Sequence, residues 1–169
     1  GPANMKQFIF SIAILGALSV PTLAGAATLS FTTDQTSVPI GSPFEVSVML
    51  DTQNEINAVG AVISIPSGLE LVNTSNGNSI VNFWVEQPQF DTATRVLTFS
   101  GIIPSGYVGT GQLLKLTLKA DVLGTLQLSF NPTRTVLYQN GPDGTLEPTT
   151  VTSLLLHAVA GTMNTQAPI

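Results

Sequence analysis

The stretch "LLKLTLKA" (113–120) decides the fold class. Leu114, Leu116 and Leu118 alternate with Lys115, Thr117 and Lys119. In an extended chain, neighbouring side chains point to opposite faces. A period of two therefore puts the three leucines on one face and the polar residues on the other. This is the pattern of a strand with one face on a core and one in water.

The same pattern recurs on both sides of it. "FEVSVMLDT" (44–52) sets Phe44, Val46, Val48 and Leu50 on one face, and "TLSFTT" (28–33) does so with Leu29 and Phe31. In "AVGAVISI" (58–65), Ile63 and Ile65 flank Ser64. "LELVN" (69–73), "IVNFWVEQ" (80–87), "RVLTFSGI" (95–102), "GTLQLSF" (124–130), "TVLYQN" (135–140) and "TTVTSLLLHAV" (149–159) read as further strands. Turn residues separate them: Pro39, Gly41 and Pro43, "PSG" (66–68), "NTSNGN" (73–78) and "GPDG" (141–144). "PSGYVGTG" (104–111) reads as a glycine-rich connection. No helical periodicity of useful length and no fixed repeat interrupts this order. About nine or ten short strands with alternating faces predict an all-β sandwich of two stacked sheets.

The flanks differ in character. "GPAN" (1–4) reads as an expression-tag remnant. Lys6, the apolar run "FIFSIAILGALSV" (8–20), Pro21 and "TLAGA" (22–26) follow the order of a secretory signal peptide. The apolar run is shorter than the roughly 20 residues of a membrane span. Residues 5–26 are therefore expected to be removed, with a mature chain starting at Ala27, a sandwich domain over 27–159, and a polar tail or linker over 160–169. Loss of Lys6 leaves four basic residues against ten acidic ones.

Composition narrows the function. Charged residues make up 9% of the 169, the formal charge is −5, and cysteine is absent. No basic patch offers a nucleic-acid surface, and without cysteine there is neither disulfide, thiol nucleophile nor thiolate metal site. The one histidine, His157, lies in an apolar late strand and reads as structural or partly exposed. The carboxylates are scattered, without the spacing of a calcium loop or of a zinc helix. "NGPDG" (140–144) offers oxygens, but its residues are also those that tight turns require. "GYVGTG" (106–111) has no helix after it to hold phosphate. No cofactor, metal site or catalytic residue is expected, and the chain is not expected to be an enzyme.

A binding surface is the remaining option, and the single tryptophan marks it. In 80–87 the odd positions Val81, Phe83 and Val85 are apolar, and Asn82 and Glu86 on the even side are polar. That parity puts Phe83 in the core and Trp84 outside, where a large amphipathic ring serves as a binding anchor.

Three blocks resemble a cohesin domain: "TLSFTTDQTSVPIGSPFEVSVMLDT", "INAVGAVISIPSGLELV" and "TFSGIIPSGYVGTGQLLKLTLKA". Together the resemblance covers about residues 27–157. It implies a jelly-roll sandwich of about nine strands, no catalysis, and recognition of a protein partner, which in cellulosomes is a dockerin. It also implies that the partner lies on the face of strands three, five, six and eight. By alternation that face would carry Gly60, Val62 and Ser64, then Asn82, Trp84 and Glu86, then Thr98 and Ser100.

The sequence thus predicts a secreted, extracellular or cell-surface module that binds a dockerin-like or other surface protein for scaffolding or adhesion. A carbohydrate-binding module that takes a polysaccharide is the alternative, and a structural spacer of a cell-surface layer is the second. Nucleic acid is not an expected partner, and a membrane is expected only through an anchor outside residues 1–169.

Overall fold

The computed structural model describes residues 26–140 and 144–161. The expected tag remnant, almost all of the signal segment, residues 141–143 of the "GPDG" turn and the tail from 162 lie outside the described residues. Eleven strands run in the order β1 (Ala27–Thr32), β2 (Ser37–Pro39), β3 (Phe44–Ser64), β4 (Leu69–Ser75), β5 (Phe83–Asp91), β6 (Val96–Ala120), β7 (Gly124–Phe130), β8 (Val136–Tyr138), β9 (Leu146–Glu147), β10 (Thr149–Val151) and β11 (Leu154–Val159).

Two strands organise the rest. β3 and β6 pair antiparallel along nearly their whole length, from Phe44↔Leu118 to Ser64↔Val96. Register shifts interrupt the ladder at Val48/Met49, Thr52/Ile56 and Ile56/Ala58. On either side of the middle shifts the outer partners change. The first half of β3 takes β1, which takes β10, and the second half of β6 takes β4. The second half of β3 takes β8, which takes β9, and the first half of β6 takes β5. One long ribbon thus supplies two layers, β4–β6–β3–β1–β10 and β5–β6–β3–β8–β9. β11 joins β7 antiparallel and β2 parallel, and the tip of β7 returns to β3 at Ile63. The result is an all-β sandwich of jelly-roll type.

This explains two departures from the strand list read in the sequence. Residues 104–111 are not a loose connection but strand within β6, paired to β3 by Thr52↔Gly109 and Ile56↔Tyr107. Residues 149–159 are not one strand: the chain breaks at exposed Thr152 and Ser153, so β10 lies beside β1 and β11 beside β7.

The apolar faces meet between the layers. Leu114, Leu116 and Leu118 are fully buried, and their partners Val48, Val46 and Phe44 are buried with them. Leu113 is fully buried as well, because the ladder passes from Val48↔Leu114 to Met49↔Gln112 and leaves it as a bulge residue. Phe31 of β1 stacks on Phe130 of β7, with centroids 4.3 Å apart. Each large aliphatic side chain so buried contributes about 1.5–3 kcal/mol. On the solvent side, Lys115 meets Glu45 and Lys119 meets Glu70, both at 3.7 Å.

Candidate functional site

Cross-strand partners of an antiparallel sheet lie on the same face. The register therefore assembles the outside of the β5–β6–β3–β8 layer row by row. Phe83, Ile102, Ala58 and Tyr138 form one row. Glu86, Ser100, Gly60 and Val136 form the next, and Gln89, Thr98 and Val62 the one after. Val96 and Ser64 close the series with Ser129 of β7.

The first two rows make an apolar groove of about 200 Å³. Gly60 is its floor between Ser100 and Val136, and Val85, Ile102 and Tyr138 stand around it. Phe83 and Val85 are each 61% exposed beside it. The groove shares Gly60 and Ser100 with a second hollow, lined also by Thr98, Glu86 and Arg134. That hollow in turn shares Thr98 and Arg134 with a wider one at Gln89 and Asp91. One face thus carries a depression that runs from apolar to polar.

The expected orientation of Phe83 and Trp84 is reversed. Trp84 lies opposite Gly101, turns inward and packs on the core, and Phe83 faces out with Ile102. Strict alternation fails here because Val81 and Asn82 precede β5, and because the β5–β6 ladder shifts register at Trp84/Glu86 and again at Glu86/Gln89. The first shift leaves Val85 unpaired and keeps it, Phe83 and Glu86 exposed. Two signals in the sequence pointed this way. Ile80 shares the parity of Trp84 and also packs on the core. Pro88, inside β5, belongs to edge strands and bulges.

Of the other expected face residues, Gly60, Thr98 and Ser100 lie on the face half-buried, and Ser64 and Glu86 are exposed. Val62 is on the face by register but buried, flanked by the 131–135 segment, whose Asn131 amide and Thr135 hydroxyl bond to its carbonyl. Asn82 is exposed ahead of β5, its amide donating to the Ile102 carbonyl at 3.2 Å. Alternation within β3 and β6 could not reveal Val136, Tyr138 or Arg134, which belong to β8 and the turn before it.

Electrostatics single out Arg134. Lys115 and Lys119 are paired with glutamates. Arg95 donates to the carbonyls of Ile65 and Leu69 and lies over the Phe90 ring. The exposed Arg134 guanidinium makes no ion pair or hydrogen bond among the described residues.

Two buried polar groups brace β8 and β9. Glu147, 2% exposed, accepts from the side-chain amides of Asn54, at 2.9 Å, and Gln139. Asn57 donates to the Ile103 carbonyl at 3.2 Å and accepts from the Asn140 amide at 2.8 Å. His157 is exposed on β11, 3.4 Å from the Thr125 hydroxyl. Among the described residues no three His, Asp or Glu side chains gather as a metal site.

No family model and no curated protein matches the sequence. Solved structures do match the fold. A non-cellulosomal cohesin of the archaeon Archaeoglobus fulgidus superposes with a TM-score of 0.66 at 16% identity, over 80% of this chain and 92% of that one. A type II cohesin from the cellulosome of Acetivibrio cellulolyticus gives 0.64 at 13%, over 78% and 95%. The third cohesin of ScaC from Acetivibrio cellulolyticus, solved in complex with the ScaB dockerin, gives 0.66 at 12%, over 79% and 99%. The chain therefore has a cohesin-like fold.

Proposed function

We infer that the chain is an exported, non-enzymatic module that recognises a protein partner through the outer face of the β5–β6–β3–β8 layer. One observation carries this reading: that face holds an apolar groove flanked by Phe83 and Val85, each 61% exposed. Apolar side chains of that size are held in water at a cost in solubility that an interface removes. The cohesin-like fold supports a protein as ligand, because structures of similar fold are cohesins in complex with dockerins. The partner is a dockerin-like or other surface protein.

Export and extracellular or cell-surface placement rest on residues 5–26. Cleavage after Ala26 would leave Ala27 as the first residue of β1, its nitrogen, a backbone amide before cleavage, 3.1 Å from the Pro148 carbonyl to which it donates. The mature chain would then begin where the sheet begins. The absence of an enzyme's role rests on the scatter of the carboxylates and on the surface position of His157.

The test is site-specific cross-linking. A photoreactive residue placed at Ser100, on the proposed face, and at Thr117, on the outside of the other layer, would be exposed to the surface and secreted fractions of the source cells. Covalent capture of a discrete protein from position 100 alone is the expected result. Equal capture from both positions, or retention of polysaccharide in place of protein, would overturn the reading.

A further inference from the structure

The groove also carries information about what enters it. Gly60 occupies the interior of a strand, where glycine weakens the sheet and often marks close approach of a ligand or another backbone. Nothing in the fold requires it: its φ is not in the left-handed region, and a Cβ there would meet only Val136 Cγ2, at 3.5 Å, an ordinary contact. The missing side chain does one thing, which is to deepen the groove between Ser100 and Val136. The groove's volume of about 200 Å³ exceeds the cavity of about 150 Å³ that holds a benzene ring. A single branched aliphatic or aromatic side chain fits it.

Charge then selects the neighbour of that side chain. Arg134 shares a hollow with Gly60, Thr98 and Ser100 and has no anionic partner among the described residues. Two carboxylates lie on the same face. Glu86 accepts from the Thr98 hydroxyl at 3.2 Å, and Asp91 accepts from the amides of Ala93 and Thr94 in its own turn. Both are engaged, and Arg134 is not. In a chain with twice as many acids as bases, a cation that has no anionic partner among the described residues and borders the groove is complementary to a carboxylate on the incoming partner. Gly60 and the row of Thr98 are two strand residues apart, about 7 Å. A helix spans that distance in about one turn and a strand in two residues.

Resting on the binding face inferred above, we propose that its partner presents one apolar side chain to the groove over Gly60 and, two to four residues away, an aspartate or glutamate to Arg134. Gly60 sets the size of the anchor and Arg134 the charge beside it.

The probe is a random-peptide library displayed on phage, panned on the immobilised chain and on its Gly60→Val and Arg134→Glu variants. Gly60→Ala and Arg134→Gln serve as milder forms, and thermal melts of all four verify folding. Peptides enriched on the wild type should share an aliphatic or aromatic residue two to four positions from an acid. They should bind each of the two stronger variants about tenfold less tightly, or worse. Enriched peptides that are basic, that ignore both substitutions, or that fail to emerge would overturn the proposal. Self-association of the wild type that Gly60→Val abolishes would overturn it too, by making a second copy the occupant. The cross-link separates this proposal from the reading beneath it. Capture from position 100 that persists unchanged in both variants keeps the binding face and removes the anchor and the charge. Absence of capture in the wild type removes the face itself.

Discussion

Trp84 meets Phe99 edge-on at the margin of the core, with ring centroids 5.8 Å apart and ring planes at 66°. Phe83, one residue earlier, faces solvent opposite Ile102. Trp84→Ala should therefore destabilise the protein by about 2 kcal/mol or more, from lost burial and a lost aromatic pair. Phe83→Ala should change stability by only about 0.5 kcal/mol, yet weaken capture of a partner. Urea melts of the two variants decide this, and equal losses would contradict the orientation.

The centre of the sandwich offers a simpler check. Leu116 is fully buried and paired across the ladder with Val46 and Thr74. Leu116→Ala should cost about 2–5 kcal/mol. A loss below about 1 kcal/mol would mean that the alternation of 114–118 does not face the core.

Two glycines on neighbouring strands should answer alanine in opposite ways. At Gly101 a Cβ would lie 2.3 Å from Val81 Cγ1 and 3.2 Å from the Phe83 carbonyl oxygen. Gly101→Ala must push Val81 or β5 aside, at a cost of about 1–3 kcal/mol. At Gly60 the nearest atom is 3.5 Å away, so Gly60→Ala should leave the melting temperature unchanged or raise it slightly. Thermal scans of the pair test whether glycine at 60 serves the groove and glycine at 101 the packing.

Glu147 is the buried carboxylate that ties β9 to Asn54 of β3 and to Gln139. Glu147→Ala would remove the acceptor shared by the Asn54 and Gln139 amides, an expected loss of about 1–3 kcal/mol. The hairpin of β8 and β9 should loosen first, because Glu147 pairs with Leu137 across it. Hydrogen exchange should quicken at Leu137 and Gln139 and leave β1 and β4 unchanged. Uniform acceleration over the whole sheet would show a global defect instead.

Alternation alone specified a large part of this molecule. It read alternate residues of Phe44 to Leu50 and Leu114 to Leu118 as core-facing, and it picked out Gly60, Thr98 and Ser100 on the face that the cohesin resemblance implied. Those residues lie on β3 and β6, which are paired on both sides where they carry the candidate face. A strand held at both edges keeps its pleat, so the period of two in the sequence survives as geometry. Among the described residues β5 pairs with β6 alone, and there the ladder slips twice around Val85 and Pro88. An edge strand can bulge without breaking a second ladder, so Phe83 and Trp84 exchanged the sides that parity assigns them.

The assembled sheets decided the rest. That 104–111 continues as strand depends on β3 lying beside it, and that 149–159 divides depends on two different edges waiting for its halves. The groove depends most on assembly. Gly60 supplies an absence, Val136 and Tyr138 arrive from a strand far along the chain, and Arg134 comes from the turn before it. None of these is a pattern along the sequence. They come together only because long-range pairing of β8 with β3 brings Arg134, which has no ion pair among the described residues, and an apolar wall to one face.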